Sequence, residues 1–419
     1  MSEKLQAVRG TQDLLADECR RFRWLDETAW EIARRFGYEE IRTPIFEFSE
    51  VFHRTLGETS DMVAKETYTF ADRGGDLITL RPEGTAGIAR AFISNGLAQL
   101  LPLKYYYFGP MFRYERPQKG RHRQFHQIGV ESLGAEDPLA DVECISLAHL
   151  MLKEFGLEGR VKLEINFLGD AESRSRHREK LVSYLSGFRS ELSPDSQVRL
   201  EKNPLRILDS KEAQDREILE NAPRLSDFLN PFSKQFAEGV LAGLSGLGIP
   251  YVANENLVRG IDYYTHTVFE FTCPELGAQS AVLAGGRYNG LIQLMGGHET
   301  PGVGFAAGVE RLALLLSSDR VESRATLIAV MAVDESTEAA CAKLTFDLRQ
   351  EGAFTSEHLR GANLGKKMKR AAKLGARFAI ILGSDEVRNN QVTVKVMTTG
   401  GQKTILADDL RQFLRDSSV

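Results

Sequence analysis

Three side chains of different chemistry lie close together in the run Arg123–Glu131. Phe125, Gln127 and Glu131 would share one face of a strand, because alternate residues of a strand point to the same side. Gly129 lies between them and would leave a gap floored by backbone. An aromatic ring, an amide and a carboxylate around such a gap could bind a polar ligand. The alternative is a half-solvated strand whose polar residues face water.

The preceding run, residues 103–113, alternates in the same way and ends at Arg113. If the two runs pair, Arg113 lies beside Phe125 on the same face. A planar guanidinium can bind phosphate through two charge-assisted hydrogen bonds. Taken alone, Arg113 could equally form a weak surface salt bridge.

The loop between these two runs is basic. A basic loop beside a pocket suits a polyanion such as ATP or an RNA end, although it could also be a solvated charge run. The loop carries Arg116, Lys119, Arg121, His122 and Arg123.

The surrounding patterns predict the elements that hold these residues. Helical spacing predicts an amphipathic helix, and runs of alternating residues that flank Gly74-Gly75 predict a hairpin. A glycine-rich turn at 301–304 is expected to lead into another helix. The predicted elements are a helix over 18–36, a hairpin over 66–82, strands over 103–113 and 123–133, a helix over 140–156, and strands over 161–167, 250–272 and 279–285.

Two further segments have a character of their own. Residues 171–247 are charged, mostly helical in pattern and interrupted by two Asn-Pro pairs, so we interpret them as an insertion. From residue 326 onward, strand patterns alternate with helix patterns, which predicts a small α/β domain with crossover connections. We therefore expect one domain over 1–325, which contains the insertion, and a second over 326–419.

Composition narrows the class of protein. The chain has 419 residues, a net charge of −5 and 26% charged residues, which is typical of a globular protein with two or three domains. The negative net charge of the chain does not indicate a nucleic-acid partner. The four cysteines are far apart, so neither a zinc site nor a disulfide framework is expected. The absence of an apolar signal or a long apolar run favours a cytoplasmic protein that does not enter the membrane.

Several motifs resemble those of one enzyme family. Taken in their order along the chain, these motifs resemble those of the class II aminoacyl-tRNA synthetases, in their histidyl version. Such an ordered set is far more specific than any single motif. They are Arg9–Asp13, a stretch ending at Pro44, Arg81–Thr85, Gly109–Glu115 with Arg121–Glu131, Arg259–Thr265, Gly285–Asn289 and Gly302–Leu312.

The resemblance implies a fold and a reaction. The fold is an α+β class II catalytic domain, an antiparallel sheet flanked by helices, with a helical insertion and a C-terminal α/β anticodon-binding domain. The reaction joins histidine to ATP as an adenylate and then transfers histidine to the 3′ end of tRNA(His). Magnesium would accompany the ATP phosphates, and no dedicated protein metal site is expected. The family also implies a homodimer.

The resemblance further assigns roles to residues. Arg113 and Arg259 would be catalytic and would meet over the α-phosphate. The same implication gives an ATP site of Arg113, Arg121, Phe125 and Arg311 and a histidine site of Glu83, Thr85, Gln127, Glu131, Arg259, Tyr263, Tyr264 and Tyr288. Gln118 and Arg123 would contact the tRNA, and the basic helix near 365–370 would contact RNA phosphates.

Four alternatives remain at this point. A regulatory relative of the same fold would lack the C-terminal domain and the signature around the catalytic arginine. A class II synthetase for another amino acid would not need Glu131 together with Tyr263 and Tyr264. A non-enzymatic RNA-binding protein would not need Arg113, Arg259 and Glu83 together. Dinucleotide binding by the glycines at 302–308 has the wrong spacing and lacks a surrounding βαβ unit.

Overall fold

The computed structural model describes residues 4–56, 65–258, 263–277, 280–317, 320–321, 326–350, 352, 355–361 and 363–416. Contacts within the chain divide it into two compact units, residues 1–321 and 322–419. No helix in these described ranges is both long and apolar enough to cross a bilayer.

An eight-stranded sheet forms the centre of the first unit. Its strand order is β1-β5-β6-β11-β10-β9-β7-β8. The six inner strands pair antiparallel, as expected, whereas the two edge pairs, β1 with β5 and β7 with β8, are parallel. The strands are β1 (Glu39–Glu40), β5 (Leu103–Phe112), β6 (Gln124–Leu133), β7 (Lys162–Phe167), β8 (Val252–Ala253), β9 (Thr265–Thr272), β10 (Ala281–Arg287) and β11 (Gly302–Gly308).

A second sheet, with three antiparallel strands, is formed by the part of the chain between β1 and β5. Its order is β2-β4-β3, with β2 (Phe46–Phe48), β3 (Tyr68–Ala71) and β4 (Leu77–Leu80). The predicted hairpin over 66–82 is therefore confirmed as β3 and β4.

Ten α-helices are described in the first unit. The predicted helix over 18–36 is confirmed as α1, which buries Phe22, Leu25, Ala29 and Ile32 at helical spacing. The helices are α1 (Ala16–Arg35), α2 (Ser49–Leu56), α3 (Thr85–Ser94), α4 (Pro138–Glu154), α5 (Ala171–Ser186), α6 (Pro194–Lys202), α7 (Ala213–Leu219), α8 (Pro231–Gly246), α9 (Leu291–Leu294) and α10 (Val309–Leu315).

The main hydrophobic core lies between one face of the eight-stranded sheet and α1, α4, α8 and α10. Helices α5 to α7 instead surround a small core of their own, which includes Leu181, Leu185 and Ile207. Phe236 and Val240 of α8 belong to the main core, so the last helix of the 171–247 segment packs with the sheet.

One segment that we predicted to be a turn forms a strand in the structure. We predicted a glycine-rich turn at 301–304, but Gly302–Gly308 forms β11, which pairs with β6 on one side and β10 on the other. Glycine is usually weak in a strand because it has no side chain to pack, and it is found where another group approaches closely. Here Tyr288 and Glu131 approach the strand at Gly302 and Gly304.

The second unit has a five-stranded sheet of order β13-β12-β14-β15-β16, in which the first three strands are parallel and the rest antiparallel. Strand β16 and helix α13 were not predicted. The elements are β12 (Leu327–Ala332), α11 (Glu338–Gln350), β13 (Thr355–His358), α12 (Leu364–Lys373), β14 (Phe378–Leu382), α13 (Ser384–Arg388), β15 (Gln391–Val396), β16 (Gln402–Leu406) and α14 (Leu410–Asp416).

Candidate active site

A polar cavity lies over the face of the eight-stranded sheet formed by β6, β11 and β10. Most of the predicted site residues line it, although they come from widely separated parts of the chain. The predicted residues that line the cavity are Glu83, Thr85, Arg113, Arg121, Phe125, Gln127, Glu131, Tyr263, Tyr264, Tyr288 and Arg311.

Three predicted residues stand apart from this group. Arg259 lies outside the described residues, so its meeting with Arg113 remains a prediction. Gln118 is exposed at the tip of the loop after β5, where its backbone forms a bridge with that of Arg121. Arg123 stacks on the Tyr114 ring at 3.8 Å and does not line the cavity.

Strands β5 and β6 place Arg113 beside Phe125, as the alternation predicts. Met111 pairs with Phe125 in the ladder, and the Arg113 guanidinium lies 5.3 Å from the centre of the Phe125 ring. Arg113 Nε donates to the Pro82 carbonyl at 2.8 Å. The backbone of the Arg81–Thr85 turn therefore orients this guanidinium.

Glu115 was missed as a site residue. Its carboxylate lies 2.7 Å from Arg121 and 3.8 Å from Arg113, so it pairs with two of the cavity's cations. A lone acidic residue within a basic loop was the signal in the sequence.

Burial lowers the pKa of Arg311, and repulsion from Arg121 lowers it further. The cavity thus gathers three guanidinium groups, which suits a phosphate chain.

Two buried carboxylates lie at the other end of the cavity. Glu83 accepts hydrogen bonds from the backbone N–H groups of Thr85 and Ala86, at 2.6 and 2.8 Å, at the start of α3. Glu131 accepts from the Thr85 hydroxyl at 2.6 Å and from the Tyr288 hydroxyl. Tyr288 therefore bonds directly to Glu131 in addition to lining the cavity.

Burial acts on both carboxylates. It raises the pKa of Glu83, against the opposing effect of the backbone hydrogen bonds. It raises the pKa of Glu131 to about 8, although the bonds from Thr85 and Tyr288 oppose the shift. Desolvation disfavours the charged form of an acid, so this end of the cavity is suited to a ligand that brings positive charge or hydrogen-bond donors.

The gap predicted above Gly129 is filled. The Tyr107 ring covers it, and a methyl group on Gly129 would overlap that ring. The prediction of an open gap was wrong because the neighbouring strand supplies the tyrosine. Gly304 of β11 lines the cavity instead and lies against the Glu131 carboxylate, which a methyl group at this position would overlap.

Two buried polar atoms at the site have no hydrogen-bond partner among the described residues. They are the Gln127 side-chain carbonyl and the Tyr107 hydroxyl. Buried polar groups normally have a partner, so the Gln127 oxygen, which lines the cavity, calls for a donor from a ligand or water.

His126 lies on the helix-covered side of the sheet, as the alternation predicts. Its backbone N–H donates to the Glu310 carboxylate at 3.0 Å, and its ring nitrogen lies 3.1 Å from the same group. Glu310 thus ties α10 to the start of β6. Within the described part of the chain, no cluster of three or more His, Cys, Asp or Glu side chains is arranged to hold a metal ion.

An antiparallel sheet that carries a polar cavity, with arginines from the β5–β6 pair and from the helix after the last strand, is the architecture of a class II aminoacyl-tRNA synthetase. The second unit, with its mixed α/β sheet, completes that architecture.

Comparisons with known proteins identify the family. A histidyl-tRNA synthetase family model matches residues 10–173 and 199–312, and an anticodon binding domain model matches residues 327–417. The chain is 57% identical to the histidine–tRNA ligase of Rhodospirillum rubrum and 50% identical to that of Gluconobacter oxydans, over 98% of each chain. The apo histidyl-tRNA synthetase of S. aureus superposes with a TM-score of 0.82 at 38% identity, over 98% of this chain and 99% of that one. The chain belongs to the histidyl-tRNA synthetase family.

Proposed function

We infer that this chain is a histidine–tRNA ligase, which activates histidine with ATP and loads it onto the 3′ end of tRNA(His). One observation carries the inference at the level of chemistry: a single cavity joins three guanidinium groups at one end to two buried carboxylates at the other. The first group suits a nucleotide polyphosphate, and the second suits the ammonium and a side-chain N–H donor of a small amino acid.

Histidine binds at the carboxylate end in this proposal. Its ammonium is held by Glu83, Thr85 and the unpartnered oxygen of Gln127. A neutral imidazole has one donor and one acceptor nitrogen, which Glu131 and the Tyr264 hydroxyl serve. Tyr263 and Tyr288 form the walls, with ring centres 5.7 Å apart.

ATP binds at the arginine end. Adenine lies between Phe125 and Arg311, and Arg121 neutralises phosphate charge. Arg113 and Arg259 hold the α-phosphate while the histidine carboxylate attacks it and pyrophosphate leaves. Positioned cations offset the repulsion between two anions and stabilise the charge that develops in the transition state. Magnesium would accompany the ATP phosphates and would offset part of their negative charge.

The tRNA meets both units. Its terminal hydroxyl enters the cavity past the loop after β5, where Gln118 and Arg123 contact the tRNA end. Residues 326–419 bind the anticodon region, and residues 1–325 form the catalytic domain. Lys366, Lys369 and Arg370 on α12 contact RNA phosphates. Lys367 does not, because it is buried and its ammonium lies 2.8 Å from Glu338.

A homodimer in the cytoplasm is part of the same proposal. The three-stranded sheet has an apolar face of aligned side chains, because Phe46 and Tyr68 flank Leu80 while Phe48 and Phe70 flank Ile78. Phe46, Phe48 and Phe70 are about half exposed or more. An exposed apolar patch of this kind is typical of a subunit interface.

Pyrophosphate exchange with each amino acid in turn, followed by tRNA charging, tests the function. We expect exchange with histidine alone and charging of tRNA(His). Glu131→Ala should reduce histidine-dependent exchange by about 100-fold or more, since a buried hydrogen-bonding site then loses its charged partner, while ATP binding survives. Exchange with a different amino acid, or none, would refute the assignment.

A further inference from the structure

Arg287 precedes Tyr288 in the chain and is completely buried, as is its ion-pair partner Asp141 on α4. A guanidinium has five N–H donors, and here all five are used. They donate to Asp141 from Nε at 2.9 Å and again from Nη2, to the Ala135 and Asp137 carbonyls at 2.8 and 3.1 Å, and to the Asn289 side chain at 3.2 Å.

Stability alone does not explain this pair. Removing two charges from water costs more than their attraction commonly returns, and apolar residues of similar volume often replace a buried pair without loss of stability. Burial raises the pKa of Asp141, against the effect of Arg287. A pair that is expensive to bury is best explained by the geometry it fixes.

The pair links the strand that carries Glu131 to the strand that Tyr288 follows. Ala135 and Asp137 follow β6, which carries Glu131, and Arg287 ends β10, immediately before Tyr288. Strand β11 lies between β6 and β10. On the cavity side, the hydroxyl of Tyr288 reaches across β11 to Glu131. On the helix-covered side, the guanidinium of Arg287 makes the corresponding link.

The backbone around Arg287 is irregular. The ladder between β9 and β10 shifts between Gly286 and Arg287, which faces Thr265. The next residue of β9, His266, is buried and has a φ of 45°, a conformation that is rare for a residue with a β-carbon. Such strain persists only where surrounding contacts enforce it, and the His266 ring packs on Phe236, over whose ring the Arg287 guanidinium lies.

We propose that Arg287 and Asp141 form a positioning pair for the histidine pocket, which holds the Tyr288 hydroxyl against Glu131 from the opposite face of the sheet. The proposal rests on the proposed function, in which Glu131 binds the imidazole. Neither residue of the pair lines the cavity, so each acts through Tyr288.

The test compares the full-length chain with Arg287→Met, Asp141→Leu and the double variant. Each single change leaves one buried charge unpaired and is expected to lower Tm, whereas the double change restores much of it. In pyrophosphate exchange, the double variant should raise the KM for histidine by about tenfold, the effect of one weakened hydrogen bond to a charged group, and leave the KM for ATP within about twofold. The histidine KM of Arg287→Lys should lie between those of the unaltered chain and the double variant, because an ammonium has only three N–H donors.

Coupling to Tyr288 separates positioning from general destabilisation. If the pair acts through the Tyr288 hydroxyl, the double change should add little to the histidine KM of Tyr288→Phe, because contacting residues are not additive. Lys367→Met, which removes a buried cation from the second unit, is the matched control and should lower Tm without changing either KM.

An unchanged histidine KM in the folded double variant would overturn the proposal. So would equal increases in both KM values, or effects that add fully to those of Tyr288→Phe. The proposed function fails separately: it is refuted when the unaltered chain shows no histidine-dependent exchange, whereas exchange retained by Glu131→Ala would refute only the role of Glu131.

Discussion

Glu131 is an ionisable group in an environment that disfavours its ionisation. Its side chain is buried under Tyr288 and Thr85, and its pKa rises to about 8. A free carboxylate near neutral pH would be solvated. Here the buried pocket favours the protonated acid, which can give up its proton when a cationic or hydrogen-bond-donating side chain enters. In the proposed function Glu131 binds the imidazole, and its burial lowers the stability of the protein without histidine.

This cost predicts how stability depends on pH. Between the ordinary value of 4.5 and about 8, the folded chain retains a proton that the unfolded chain has released. The contribution of Glu131 to stability is therefore full below pH 4.5 and is lost as pH rises toward 8. Glu131→Gln cannot ionise, so its Tm relative to the unaltered chain should rise by a few degrees from pH 5 to pH 8.

Thermal melts of the ligand-free protein at several pH values measure this difference. Glu136→Gln, at an exposed position, is the matched control and should show no such trend. A Tm difference for Glu131→Gln that is flat or falls with pH would contradict the assignment of a raised pKa.

At the scale of elements, local alternation was enough to predict β5, β6 and their pairing, and hence the meeting of Arg113 with Phe125. It could not predict that Tyr107 would fill the space above Gly129, since that depends on which neighbour's side chain crosses the strand. Nor could it predict that Gly302–Gly308 would be a strand, because glycine favours turns unless a close approach requires it. Tertiary contacts decided both outcomes.

The glycines of β11 give a prediction at this scale. A methyl group at Gly304 would overlap the Glu131 carboxylate and the Val130 carbonyl, so Gly304→Ala must displace the strand or the carboxylate. We expect the KM for histidine to rise by about tenfold or more, equivalent to about 1.4 kcal/mol, with a smaller effect on ATP. Pyrophosphate exchange measures both constants.

Gly246→Ala is the control for this change, because a methyl group there has open space. It should leave both constants unchanged. Should Gly304→Ala behave in the same way, the close contact between β11 and Glu131 would not be what shapes the pocket.

Helix α12 gives a second prediction for an element. It packs on one face of the five-stranded sheet and α11 packs on the other, so Lys366 and Lys369 are presented on the opposite side of the unit from Lys343. Lys366→Glu with Lys369→Glu should raise the KM for tRNA by about tenfold and reduce the dependence of that KM on salt, since phosphate contacts release counterions. Histidine-dependent pyrophosphate exchange should not change, because it requires no tRNA.

Lys343→Glu, an exposed charge reversal on α11, is the matched control for charging assays. An equal loss of charging in this control would assign the effect to net charge. Unaltered charging in the α12 variant would remove that helix from the RNA interface.

At the scale of the whole molecule, the chain is divided into two units. The candidate cavity lies within the first unit, and the second unit has its own sheet and its own cores. We predicted a domain boundary near residue 326 from the change of pattern along the sequence. The sequence could not predict which surfaces meet another copy, since an exposed apolar side chain and a buried one have the same residue type.

The exposed apolar face of the three-stranded sheet is the subunit interface that we expect in the homodimer. Phe48 and Phe70 are 62% and 49% exposed and flank Ile78 on that face. Burying large apolar side chains typically contributes about 1.5–3 kcal/mol each, so Phe48→Asp with Phe70→Asp should weaken self-association by 100-fold or more. Sedimentation velocity over a range of concentrations measures this directly. Val387→Asp, at an exposed apolar position of the second unit, is the control and should still sediment as a dimer. If the variant with Phe48→Asp and Phe70→Asp still formed a dimer, the interface would lie elsewhere. If the chain without substitutions were monomeric and fully active, the homodimer would be removed from the proposal.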